Sequence, residues 1–149
     1  MTPPPAYNTL DPEEERKLFL EGIEVFNEKD FFEAHEVWEE VWAMCVGERA
    51  RFYQGLIQIA VTLEHINRDN PRGVQKVWRT AQSKFEGLPD LYMGVNIPKL
   101  LDSVRPFIEP ILAMETARGQ QPHDIELKWN PAEVPNLVLE YDPWESGEA

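Results

Sequence analysis

The chain has 149 residues, 42% hydrophobic and 28% charged, the proportions of one soluble folded domain with a proper core. Its formal net charge of −13 repels phosphate backbones and anionic lipid, which excludes nucleic-acid and membrane-surface binding as first readings. The lone Cys45 excludes an internal disulfide and fits a reducing, cytoplasmic setting, and no run of about 18 apolar residues is present to span a bilayer.

Residues 1–10 read as a flexible, extended arm, with Pro3, Pro4 and Pro5 in a row and neither the basic nor the apolar stretch of a signal peptide. Asp11 then supplies an N-cap, Pro12 a first helical position and Glu14 the capping-box spacing for a first helix. Its Leu18, Phe19, Ile23 and Phe26 recur at helical intervals to about Asn27. Asp30 and Glu33 repeat the capping spacing and open a second helix, expected to run to about Cys45 and end near Gly47. At about 100° per residue, Phe31, Ala34, Trp38, Val41, Trp42 and Cys45 share its apolar arc, and Glu33, Glu36 and Glu40 face the other way. His35 falls inside that arc, flanked by Trp38 and Trp42, with Glu39 one turn on at the shoulder.

A third helix over about 48–67 carries Phe52, Leu56, Ile59, Leu63 and Ile66 on one stripe, widened by Tyr53, Ile57 and Ala60. More than half its circumference is then apolar, so it should be largely buried. The remaining arc holds Arg51, Gln54, Gly55, Gln58, Thr62 and His65, while Glu64 on the apolar side needs a partner or a way out to solvent. Asn70 and Pro71 open a fourth helix to about Phe85, with Val74, Val77, Trp78, Ala81 and Phe85 inward and Gly87-Leu88-Pro89 as its stop. A fifth helix is expected from Asn96 towards Ala117, kinked or divided by Pro106 and Pro110 because each removes a backbone donor. Residues 118–149 show no sustained period beyond a short candidate strand at Leu137-Val138-Leu139. Trp129, Tyr141 and Trp144 should pack this acidic tail across the domain. The expected class is all-α, a bundle of about five helices over 11–117 with antiparallel neighbours.

Phe32, His35, Glu36, Trp38, Glu39 and Trp42, then Tyr53-Gln54-Gly55-Leu56-Ile57-Gln58 and later His65, closely resemble the domain-of-unknown-function 309 family. Its pattern reads roughly F-x-x-H-E-x-W-E-x-x-W, followed by Q-G-L-I-Q-x-A and a histidine. The likeness covers about residues 25–85, and the stretch from Leu91 to Leu101, with Asn96-Ile97-Pro98, looks like longer members from cyanobacteria and plastids. The resemblance implies a compact helical bundle, and it brings the label of predicted metal-dependent hydrolase that family members have carried.

A hydrolytic metal centre needs several neutral or anionic ligands converging on one ion, with a position left for water. His35, Glu36, Glu39, Glu64 and His65 are the ligand types at hand, with Gln54 and Gln58 around them. His35-Glu36-Val37-Trp38-Glu39 departs from the zinc-protease H-E-x-x-H by a glutamate in place of the second histidine. The E-x-x-H pairs of di-iron bundles are missing too, since Phe32 precedes His35 by three and Thr62 precedes His65 by three. No metal or other cofactor is therefore assigned. Antiparallel second and third helices would still bring His35 and His65 to one level, so a divalent metal on His35, His65 and Glu36 or Glu39 stays open as the alternative.

The first reading makes His35 a buried polar hinge. One ring nitrogen would meet Glu39 or Glu36 and the other a backbone carbonyl or Gln58, with Arg51 available to the glutamates. Glu39 is also an acceptor candidate for the indole N–H groups of Trp38 and Trp42. On this reading the protein is a non-catalytic helical domain that binds a protein or small-molecule partner, oligomerisation remains open, and His35→Ala costs about 1–3 kcal/mol. Gly55 should let another helix approach closely, His123 reads as a surface residue, and Cys45 as a small core residue without an anchored base.

Overall fold

Four of the helices start where a side chain caps them. The computed structural model describes residues 11–114 and 126–149; the arm at 1–10 and His123 lie outside the described residues. Asp11 accepts the Glu14 N–H at 3.4 Å, Asp30 that of Glu33 at 3.1 Å, Asn70 that of Gly73 at 3.1 Å and Asn96 that of Lys99 at 3.1 Å. These caps open α1 (Pro12–Asn27), α2 (Phe31–Trp42), α4 (Pro71–Lys84) and α5 (Ile97–Leu112), while α3 (Gly47–Asn67) follows Val46 without a side-chain cap. With five helices and one two-residue-per-strand hairpin among the described residues, the class is all-α, as the sequence predicts.

One corner is used twice. α1 and α3 each end in a left-handed residue, Lys29 (φ 69) and Asp69 (φ 54). The next N–H then reaches back to close the turn, Asp30 to the Val25 carbonyl at 3.0 Å and Asn70 to the His65 carbonyl at 2.9 Å. That same residue caps the following helix, so termination and initiation share three residues. The helices pack in sequence order, α1 on α2, α2 on α3, α3 on α4 and α4 on α5. Phe19, Phe26, Phe31, Trp38, Phe52 and Tyr53 are closed off from solvent at the centre, with Phe26 edge-on to Phe31 (centroids 5.2 Å) and Phe19 edge-on to Tyr53 (5.6 Å). Each such ring contributes about 1.5–3 kcal/mol by leaving water. At Gly55 the close approach is made by a ring rather than by a helix backbone: a Cβ there would lie 2.4 Å from Cζ of Phe85.

The boundaries correct the sequence reading in three places. α2 stops at Trp42, short of Cys45, because the Met44 and Cys45 N–H groups tighten onto the carbonyls of Val41 and Trp42, both at 3.1 Å. Gly47 therefore starts α3 instead of ending α2. α5 ends at Leu112 rather than near Ala117, and Pro106 and Pro110 lie inside one continuous helix. Both prolines are exposed, so the carbonyls that lose their donors sit on the solvated side, where water replaces the missing bond. The strands also fall elsewhere. Leu91–Tyr92 (β1) pairs antiparallel with Val95–Asn96 (β2) through a turn at Met93 (φ 51) and Gly94 (φ 79), the left-handed pair that a two-residue hairpin of this type requires.

Leu137-Val138-Leu139 forms no strand, and Asn27 explains why. Its side-chain amide donates to the Leu137 carbonyl at 3.0 Å and accepts the Leu137 N–H at 2.7 Å, taking the place of a strand neighbour. The described part of the tail crosses the bundle by its aromatics. Trp129 stacks on Phe31 (centroids 6.1 Å) and meets Phe107 edge-on (6.0 Å), Val134 and Leu137 are buried, and Trp144 lies against Phe19 at 5.9 Å. No described helix is long and apolar enough to cross a membrane.

Candidate functional site

The buried face of α2 consists of Phe31, Ala34, Val37, Trp38 and Val41. Val37, absent from the arc expected from the sequence, shifts that face away from His35 and Trp42, which become its rim. Phe32, 42% exposed, stands on the outer side of the helix and Trp42, 39% exposed, on the rim about three turns further along, with Glu36 and Glu39 between them along the axis. Cys45 is only half-buried, and burial together with the Glu15 carboxylate pushes its thiol up to about 11, which keeps it protonated and unreactive. Trp38 alone of the motif points fully inward, and its indole N–H donates to the Phe19 carbonyl at 3.3 Å rather than to Glu39.

His35 is tied to its own helix. Nδ1 lies 2.8 Å from the Phe32 carbonyl, which only accepts, so Nδ1 carries a proton. Nε2 lies 3.0 Å from Oε1 of Glu39. The ring thus meets acceptors at both nitrogens, an arrangement served by an imidazolium or by a cation shared between Nε2 and the carboxylate. With both nitrogens engaged inside α2, neither Gln54 nor Gln58 bonds the ring; Gln58 Oε1 is buried and has no hydrogen-bond partner among the described residues. Arg51 is also elsewhere than expected, donating to the Glu86 carbonyl at 3.0 Å and leaving Glu36 and Glu39 alone.

His65 shares a groove with His35 but not a ligand set. A space of about 160 Å³ is lined by Phe32, His35, Val61, Glu64, His65 and Arg68, which sets the first turn of α2 beside the last turn of α3 and makes the two helices antiparallel. Oδ1 of Asn70 is fixed by its cap to Gly73, so its amide nitrogen is what faces Nδ1 of His65 at 3.1 Å. Nδ1 accepts, and the proton of the neutral ring sits on Nε2. Burial lowers the His65 pKa, with Arg68 adding to the effect and Glu64 opposing it. Glu64 meets its expected need by pairing with Arg68 at 2.9 Å, and Arg68 in turn lies over the Phe32 ring at 5.5 Å. The ligand atoms that come within 4.8 Å of one another are those of His35, Glu36 and Glu39, without His65.

A second polar grouping escaped the sequence reading. Glu15 is 3% exposed and receives Arg49 at 3.0 Å and the Tyr53 hydroxyl at 2.7 Å. Arg49 also donates to the Glu148 carbonyl at 3.1 Å, and the Glu148 carboxylate takes the Met93 N–H at 3.0 Å and the Tyr141 hydroxyl. Burial and the neighbouring Glu15 hold the Tyr53 pKa well above its usual range, so the phenol remains a donor. The signal was present in the spacing: Glu15 stands three before Leu18 and four before Phe19, on the same stripe as Ile23 and Phe26.

An uncharacterized protein of Aquifex aeolicus (strain VF5) is 32% identical to this chain over 117 residues, 78% of this chain and 33% of its own length. The uncharacterized protein YpuF of Bacillus subtilis (strain 168) is 32% identical over 94 residues, 60% of this chain and 53% of its own length. The chain therefore spans about a third and about half of these two curated relatives. Residues 19–77, from α1 through the first half of α4, match the model of the family described as Domain of unknown function (DUF309), the family to which this helical core is similar.

Proposed function

We propose that this protein is a helical binding module whose working surface is the outer face of α2, together with the groove that α2 forms with the end of α3. The observation that carries the reading is the exposure of Phe32 and Trp42, 42% and 39%, on a helix whose opposite face is closed into the core. Core packing accounts for Phe31, Ala34, Val37, Trp38 and Val41 and for neither of these two rings. Large apolar groups set among polar ones are the usual anchors of an interface. The α2 motif residues that resemble the family pattern, Trp38 excepted, are the ones on this ridge. The net charge of −13 supports a protein or small-molecule partner over nucleic acid or lipid, and the lone Cys45 thiol supports a cytoplasmic setting. A photo-crosslinking residue placed at Phe32 or Trp42, in protein made in its native host, should give a discrete adduct that the same residue at Glu109 of α5 does not. No adduct from either ridge position removes the proposal.

A metal-dependent hydrolase is the second reading, favoured by the approach of His35, Glu36 and Glu39 within 4.8 Å. One imidazole and two carboxylates suit a divalent ion, and the Nδ1 bond to the Phe32 carbonyl is the kind of contact that orients a ligating histidine. A bound ion would supply Lewis acidity and an activated water. The ligands on this reading are His35 with the two glutamates, since His65 stands outside the set. Elemental analysis of tag-free protein should then find about one equivalent of zinc, iron or manganese, and none in His35→Ala. A metal-free parent sinks this reading and leaves the first one standing.

A further inference from the structure

The outer face of α2 has a charge as well as a shape. Its sequence, FFEAHEVWEEVW, holds four glutamates and no lysine or arginine. Glu39 is paired with His35; Glu33, Glu36 and Glu40 are exposed and have no ion-pair partner among the described residues. Phe32 and Trp42 stand at the two ends of this acidic strip, about 15 Å apart by the rise of a helix. At the Phe32 end lies the groove of about 160 Å³, wide enough for one aliphatic side chain, whose single exposed cation, Arg68, is already neutralised by Glu64 at 2.9 Å. A second copy of this chain would bring glutamates against glutamates, and nucleic acid or anionic lipid would meet the same repulsion.

We infer that the α2 face takes a basic amphipathic helix from a protein partner, a proposal that rests on the binding-module reading and names its partner's chemistry. Two antiparallel helices, α2 and α3, present parallel ridges with a furrow between them, the surface on which a third helix seats its apolar stripe. An apolar residue of the partner would enter the groove beside Phe32 and Val61, another would cover Trp42, and lysines or arginines between them would meet Glu36, Glu39 and Glu40. The carboxylates would set orientation and on-rate, and the two rings would set the lifetime of the complex.

The probe is a synthetic amphipathic helix of leucine and lysine, labelled for fluorescence anisotropy and titrated with the full chain at physiological ionic strength, beside a leucine and glutamate counterpart. The parent should bind the lysine helix and not the glutamate one. The pair Glu36→Lys and Glu40→Lys should weaken binding roughly tenfold or more, whereas Asp102→Lys with Glu109→Lys on α5, an equal change in net charge, should shift it less than about twofold. Phe32→Ala with Trp42→Ala should also weaken it while leaving the circular-dichroism spectrum unchanged. Equal losses from the α2 and α5 charge pairs, or no binding by the parent, overturn the inference. Cross-links through Trp42 to a partner segment without basic residues would overturn it too while sparing the binding-module reading, which separates the two failures.

Discussion

Near the start of α3, Arg49 and Tyr53 close on Glu15, a carboxylate 3% exposed; at its other end, His65 and Arg68 border a groove with His35, whose side chain is 18% exposed and whose partner Glu39 is 48% exposed. Both groupings pair an acidic with a basic group at 3.0 Å, and they do different work. Glu15 joins α1 to α3, and through Arg49 to the Glu148 carbonyl it joins both to the tail. Among the described residues His35 bonds only to Phe32 and Glu39, three and four residues away on its own helix. The first ties three parts of the chain together, and the second leaves the fold indifferent and a surface decorated. Polar residues that hold a fold are thus recognised by what they connect, and polar residues free for another use by connecting nothing.

The sharpest way to break this contrast is Glu15→Ala. It strands the Arg49 guanidinium and the Tyr53 hydroxyl away from water, and losing one member of a buried pair costs about 3–5 kcal/mol. Urea unfolding followed at the tryptophans would measure it. Glu15→Gln keeps an acceptor and should cost less. A loss under about 1 kcal/mol for Glu15→Ala would mean that water reaches Arg49 and that the two groupings are alike.

A pH titration sharpens the other end. The folded His65 has its pKa lowered, by burial first and Arg68 second. As pH falls through the ordinary histidine value of 6.5, the unfolded chain takes up a proton that the folded ring resists. The stability held by neutral His65 is therefore full above that value and lost as pH falls towards the folded pKa. His65→Gln cannot be protonated, so the stability gap between parent and variant should narrow on acidification from about pH 7.5 to about 5.5. A widening gap would mean that the groove favours a charged ring, against the arrangement with Asn70.

Most of the helical frame was legible because caps and periods are local: Asp11, Asp30, Asn70 and Asn96 open helices where their spacing predicts. The misses share a cause, which is that the deciding partner is distant in sequence. Asn27 occupies the backbone of Leu137, 110 residues away, and so no strand forms there. Trp38 finds the Phe19 carbonyl on another helix, where its sequence neighbourhood suggested Glu39. Glu15 has the spacing of the buried stripe, but the partners that make its burial possible, Arg49 and Tyr53, lie 34 and 38 residues away. His35 failed differently. It lies one step from the boundary of its arc, and the packing of Val37 decided which side of that boundary it took.

The smallest expected effect is also the most informative about function. The sequence reading made His35 a buried hinge whose loss costs about 1–3 kcal/mol. With its bonds confined to one helix, Glu39 half in solvent and the His35 ring 18% exposed, His35→Ala loses a partly screened i,i+4 pair and some ring burial, and should cost about 1 kcal/mol. Phe32→Ala, which removes a ring 42% exposed, should likewise stay within about 1 kcal/mol. Thermal unfolding of the two variants beside the parent would check both. Small losses mean that these residues sit where they are for a reason outside the fold, as a binding face requires. A loss for His35→Ala as large as that for Glu15→Ala would return His35 to the architecture and take the ridge down with it.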